Sequence, residues 1–122
     1  MSKIIDLRTF SDDRGYLTVI EKNLPFEIKR VFYIYNVDDS KRGFHRHKKT
    51  IQAAVCVKGS CNIMLQSGTD KSVETFTLNT PSKCLILSPE DFHWMQDFSE
   101  DAVLVVLASE YYDKDDYIFE NY

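Results

Sequence analysis

The chain has 122 residues and a mass of 14.3 kDa, enough for one domain spanning 1–122 and too short for a second. With 43% apolar and 28% charged residues it has the composition of a globular chain, not a disordered one. Fifteen basic against nineteen acidic residues leave a net charge of −4, so the surface as a whole repels nucleic-acid backbones and anionic membranes. An anionic ligand then needs a local positive cluster. The longest uncharged apolar stretch, Ala102 to Ala108, falls far short of the ~20 residues that span a bilayer. The N-terminus shows no signal-peptide pattern, and Cys56, Cys61 and Cys84 form no CxxC pair; reduced, packed thiols in a cytoplasmic protein are expected.

In chain order, the first turn is Asp12-Asp13-Arg14-Gly15. Turn residues then recur about every 8 to 13 positions, and the segments between them are short and rich in Val, Ile, Phe, Tyr and Thr. This pattern predicts an all-β sandwich or barrel. In Lys29 to Val37, alternation puts Val31, Tyr33, Tyr35 and Val37 on one face and Arg30, Phe32, Ile34 and Asn36 on the other. Next comes the basic run containing Arg42, His45, Arg46, His47, Lys48 and Lys49. Two histidines at i and i+2 on a strand share a face.

Ile51 to Val57 reads as a buried strand interrupted by Gln52, and Ala102 to Ala108 as a central strand covered on both sides. The third histidine, His93, lies between these two, four residues after Pro89. The tail from Tyr111 to Tyr122 mixes Asp113, Asp115, Asp116 and Glu120 with aromatic residues, which fits a short helix or a strapping tail.

The histidine pair, Gln52, Gly59 and Pro89-x-x-x-His93 resemble the two motifs of the cupins, small jelly-roll β-barrels with a polar central pocket. Metal-dependent cupins place a Glu where this chain has Gln52, a neutral amide and a poor ligand for a divalent cation. The three histidines alone remain a possible zinc set. Without that carboxylate, proton transfer is the better reading, with no metal and no cofactor. A basic rim suits a phosphorylated ligand, since arginine offers bidentate contacts.

Four segments carry a more specific likeness: Arg42-Gly43-Phe44-His45-Arg46-His47-Lys48-Lys49, Ile28 to Ile34, Val57-Lys58-Gly59-Ser60-Cys61, and Val106 to Asp113. Together they resemble the sugar 3,4-ketoisomerases, the WxcM-like nucleotide-sugar oxoisomerases. The resemblance implies a cupin dimer without metal whose substrate is dTDP-4-keto-6-deoxy-D-glucose. The product would feed an aminotransferase for O-antigen or S-layer glycans.

Carried over by the resemblance, the catalytic histidines fall on His45 and His47 and the active-site tyrosine on Tyr33. Arg14, in an Asp-x-Arg-Gly element like that of deoxysugar epimerases, is expected at the diphosphate, as are Arg42, Arg46 and Lys49. Gln52 and His93 are expected to donate to the substrate oxygens. The reaction relocates a proton through an enediol, for which imidazole, titrating near 6.5, is a suitable base. His47 is assigned as base and His45 as acid, although the sequence does not separate the two roles. Rival readings are a metal-dependent oxygenase, a non-catalytic nucleotide-sugar-binding cupin, and a 3,5-epimerase. The last pairs its histidine with an aspartate, and no such aspartate stands near these histidines in the sequence.

Overall fold

Two five-stranded antiparallel sheets face each other across one apolar interior in the computed structural model, which describes residues 2–122. The first contains β1 (Lys3–Asp6), β4 (Arg30–Tyr35), β6 (Gln52–Lys58), β9 (Lys83–Leu87) and β11 (Val103–Ala108), in the order β1-β9-β6-β11-β4. The second contains β5 (Arg42–His47), β7 (Cys61–Gln66), β8 (Val73–Leu78), β10 (Phe92–Gln96) and β12 (Tyr117–Ile118), in the order β12-β5-β10-β7-β8. β2 (Arg8–Asp12) and β3 (Gly15–Val19) form a separate hairpin whose residues are mostly exposed. No helix among the described residues is long and apolar enough to cross a membrane. The all-β jelly-roll expectation holds.

The interior layer draws on both sheets. Ala54, Cys56, Leu85, Leu104 and Val106 come from the first, and Cys61, Ile63, Leu65, Leu78 and Met95 from the second. Alternation along each strand puts these residues inward, and burying each large aliphatic side chain contributes about 1.5–3 kcal/mol. A second cluster covers the other face of the first sheet. There Ala53, Val55, Ile86 and Leu107 meet Leu7 and the partly buried Ile20, Leu24 and Phe26. β6 and β11 are therefore apolar on both parities because both their faces are covered, as their composition predicts. Cys56, Cys61 and Cys84 are free and buried.

β4 lies at the sheet edge, paired with β11 on one side, and its alternation is as expected. Arg30, Phe32 and Ile34 are partly buried, whereas Val31, Tyr33 and Tyr35 are exposed. The tail contributes both forms foreseen for it: a 3₁₀ turn at Lys114–Asp116, opened by an Asp113 carboxylate accepting from the Asp115 N–H, then β12 strapped along β5.

Candidate active site

The interior opens into a cavity of about 270 Å³ whose apolar floor includes Ala54, Ile63, Leu87 and Val106. Its polar wall carries His45 and His93, which are cross-strand partners on β5 and β10, together with Gln52, Arg30, Arg42 and Tyr117. Gly43 lets the two strands approach. At φ +100 it occupies a region that favours glycine, and a Cβ there would sit 3.1 Å from the His93 carbonyl oxygen. The ladder shifts register between His93 and Trp94, opposite this glycine. Phe44, also at positive φ (66°), stacks its ring on Trp94, so His45 next along the chain faces the cavity.

The three imidazoles converge. Ring centroids lie 5.1 Å apart for His45 and His47, 4.7 Å for His45 and His93, and 6.0 Å for His47 and His93. His47, 5% exposed, packs against the rings of His45 and His93, which themselves line the cavity. Burial lowers all three proton affinities. His45 titrates at about 4, with the neighbouring His47 adding to the effect, and His93 at about 3, with both other histidines adding. His47 is also held below its ordinary value by burial, although Asp116 opposes the shift. At neutral pH the trio is therefore uncharged, each ring keeping one bare nitrogen as an acceptor. One nitrogen from each ring lies within 4.8 Å of the others, so these are the residues able to hold a divalent transition cation.

Asp116 is the site residue that sequence reasoning missed. Its carboxylate, 4% exposed, accepts from His47 Nδ1 at 3.0 Å, from the Thr50 hydroxyl at 2.5 Å and from the Lys49 N–H at 2.8 Å. Burial alone would raise its pKa, but those donors outweigh it and keep the group below the usual carboxylate range. The expected absence of a His–Asp pair is thus corrected: the partner is 69 residues away in sequence and reaches His47 through the tail. Nothing local distinguishes Asp116 from Asp113 or Asp115; only the pairing of Tyr117 with His47 across β12 and β5 selects it. Tyr117 was also missed, and its ring lies 4.9 Å from His45 and 4.6 Å from His47. Arg30 is a third omission. It lines the cavity, packs over Phe32 and Tyr112, and has no ion-pair partner among the described residues.

Several expected ligand residues are placed elsewhere. Tyr33, by contrast, contributes to the cavity lining, although it stands on the exposed face of β4, 62% accessible and stacked on Tyr35, between inward-facing Phe32 and Ile34. Arg46 turns from the cavity, standing between His45 and His47. Its Nε donates to the Glu120 carbonyl at 3.0 Å and its guanidinium covers Tyr122. Lys49 acts here through its backbone N–H, while the residue itself is exposed. Arg14 sits at the tip of the hairpin, side chain 86% exposed and paired with Asp12, outside the cavity lining of its own chain. Arg42, Gln52 and His93 are in the wall, as expected.

The TDP-4-oxo-6-deoxy-alpha-D-glucose-3,4-oxoisomerase of Aneurinibacillus thermoaerophilus is 46% identical over 120 residues, covering 96% of this chain and 85% of that protein. The crystal structure of QdtA, a sugar 3,4-ketoisomerase from Thermoanaerobacterium thermosaccharolyticum in complex with TDP, superposes with a TM-score of 0.93. It is 43% identical, with 98% of this chain and 88% of that one covered. A dTDP-4-dehydrorhamnose 3,5-epimerase from Bacillus anthracis shares the fold at 18% identity and a TM-score of 0.82, over 95% of this chain and 76% of that one. The family model described as FdtA, WxcM-like, C-terminal matches residues 1–122, and the chain belongs to that family.

Proposed function

We propose that this protein is a nucleotide-sugar 3,4-ketoisomerase that converts dTDP-4-keto-6-deoxy-D-glucose into a dTDP-3-keto-6-deoxyhexose. The observation that carries the reading is the neutral, mutually packed imidazole trio, two of whose rings line a cavity with an apolar floor. A structure of a mutant QdtA, 43% identical to this chain, holds TDP-4-keto-6-deoxyglucose. In the reaction a base removes the proton from C3, negative charge develops on the C4 oxygen, and a proton returns at C4 as the C3 hydroxyl becomes the ketone. The change is redox-neutral within the sugar. His45 and His47 share the proton transfers, while Gln52, His93 and Tyr117 line the place where charge develops. The test is incubation with dTDP-4-keto-6-deoxyglucose in D₂O, followed by NMR. Deuterium at C4 with a new C3 ketone is expected. Exchange at C5 indicates an epimerase, and an unchanged sugar indicates a binding module.

The diphosphate is assigned to Arg30 and Arg42, the two guanidinium groups of the cavity wall. Replacing either with Ala is expected to raise KM about tenfold or more with a smaller fall in kcat, because the contacts act equally on ground and transition states. An unchanged KM in steady-state kinetics sinks the assignment.

A homodimer in the cytoplasm completes the reading. Val31, Tyr33 and Tyr35 form an exposed apolar row on an edge strand, and Phe10, Tyr16 and Leu17 expose more apolar surface on the hairpin. A second copy covering these surfaces would place the hairpin arginine, Arg14, at the partner rather than at its own cavity. Sedimentation should give twice the 14.3 kDa chain mass, and a monomer at micromolar concentration refutes the pairing. The three free, buried thiols fit a reducing compartment.

A further inference from the structure

We propose that Asp116 is a positioning residue that makes His47, and not His45, the proton acceptor of this isomerisation, by holding the Nδ1 proton so that Nε2 carries the free lone pair. This deepens the ketoisomerase reading and rests on it.

The carboxylate is saturated on the protein side. Oδ1 takes the Lys49 N–H, and Oδ2 takes both the Thr50 hydroxyl and His47 Nδ1. An ionised carboxylate only accepts, so the proton of a neutral His47 must sit on Nδ1. Nε2 is then an acceptor. It is buried and has no hydrogen-bond partner, as is also true of His93 Nδ1, and a ring nitrogen of His47 lies within 4.8 Å of one from His45 and one from His93. A buried acceptor left unpaired calls for an explanation, and receiving a proton during turnover supplies one.

Only one of the three imidazoles has a carboxylate within ion-pair distance among the described residues. When the C3–H bond breaks, its electron pair forms the C3–C4 double bond and the carbonyl π pair moves to the C4 oxygen. Nε2 gains the proton and His47 becomes an imidazolium. Beside Asp116 that cation has its counter-charge already in place, whereas His45 and His93 would carry it uncompensated. The other groups facing His47 are the rings of His45, His93 and Tyr117, and the positive field of Arg30, which opposes protonation.

Asp116→Asn isolates the effect. Lys49 N–H requires the amide oxygen on its side, which turns the amide NH₂ toward His47 Nδ1 and drives the proton onto Nε2, the wrong tautomer. The expected result is a fall in kcat of about 10- to 100-fold with KM within about threefold. The acid limb of the kcat profile should also move to lower pH, because the group that raised the proton affinity of His47 is gone. Combined with His47→Asn, the substitution should cost nothing further.

The tautomer can be read without any variant. In ¹⁵N-histidine-labelled protein near pH 7, long-range ¹H–¹⁵N correlation is expected to show His47 protonated at Nδ1 and bare at Nε2. Full turnover in folded Asp116→Asn, additive losses in the double variant, or a proton on Nε2 of His47 in the parent protein would each overturn the proposal. Should the parent protein leave the keto sugar unchanged, the ketoisomerase reading fails, while the tautomer measurement still decides the geometry.

Discussion

His45→Asn is expected to lower kcat at least a hundredfold while leaving the strand pairing and nucleotide binding intact. Asparagine keeps a polar group of similar reach but cannot exchange a proton near neutral pH, so it removes what a positioned acid or base contributes, typically 10²- to 10⁴-fold. His45 lines the cavity beside His93, its cross-strand partner, and is the least buried of the three histidines. Its low proton affinity suits a neutral group that hydrogen-bonds and passes protons without storing charge. His47→Asn is expected to cost at least as much, since it removes the imidazole held by Asp116. The measurement is initial rate against dTDP-4-keto-6-deoxyglucose, with TDP affinity and far-ultraviolet circular dichroism as controls for binding and fold. Near-parent rates in both single variants would take the chemistry away from this pair.

Acid is expected to destabilise the fold well above the range where carboxylates titrate. An imidazole in an unfolded chain takes up its proton near 6.5. In the folded chain His45 resists until about 4 and His93 until about 3, both chiefly because burial penalises the charged form. Below 6.5 the unfolded chain therefore binds more protons than the folded one. Stability is fully present above that pH and declines as pH falls toward 3. Each pH unit of difference is worth about 1.4 kcal/mol, so His93 alone accounts for a few kcal/mol, comparable with much of a small domain's total. His47 acts in the same direction, and Asp116, held low by its donors, extends the decline below its ordinary value of 3.8. Calorimetry between pH 7.5 and 4.5 should show a steady fall in Tm, reduced in a His93→Gln variant. A flat Tm across that interval would mean that the imidazoles are not buried as neutral groups.

The fold was readable because its signals are local. Turn residues every 8 to 13 positions and strands apolar on one or both parities report directly which faces are covered. β6 and β11 read as doubly covered because they are. The histidine spacing was equally readable, since neighbours at i and i+2 share a face whatever the partner strand does. Tyr33 borders the cavity from the exposed face of β4. Alternation already divided β4 into two faces, but which face looks inward depends on the sheet that packs against it.

Sequence alone therefore determined the all-β architecture, the imidazole pair and the lack of a carboxylate at Gln52, all of which depend on residue type and period. Tertiary structure alone decided that Arg30 enters the cavity, that Arg46 anchors the tail, and that Asp116 rather than Asp113 or Asp115 reaches His47. The physical reason is distance along the chain: β12 pairs with β5 across some 70 residues, and no local preference of either segment encodes that meeting.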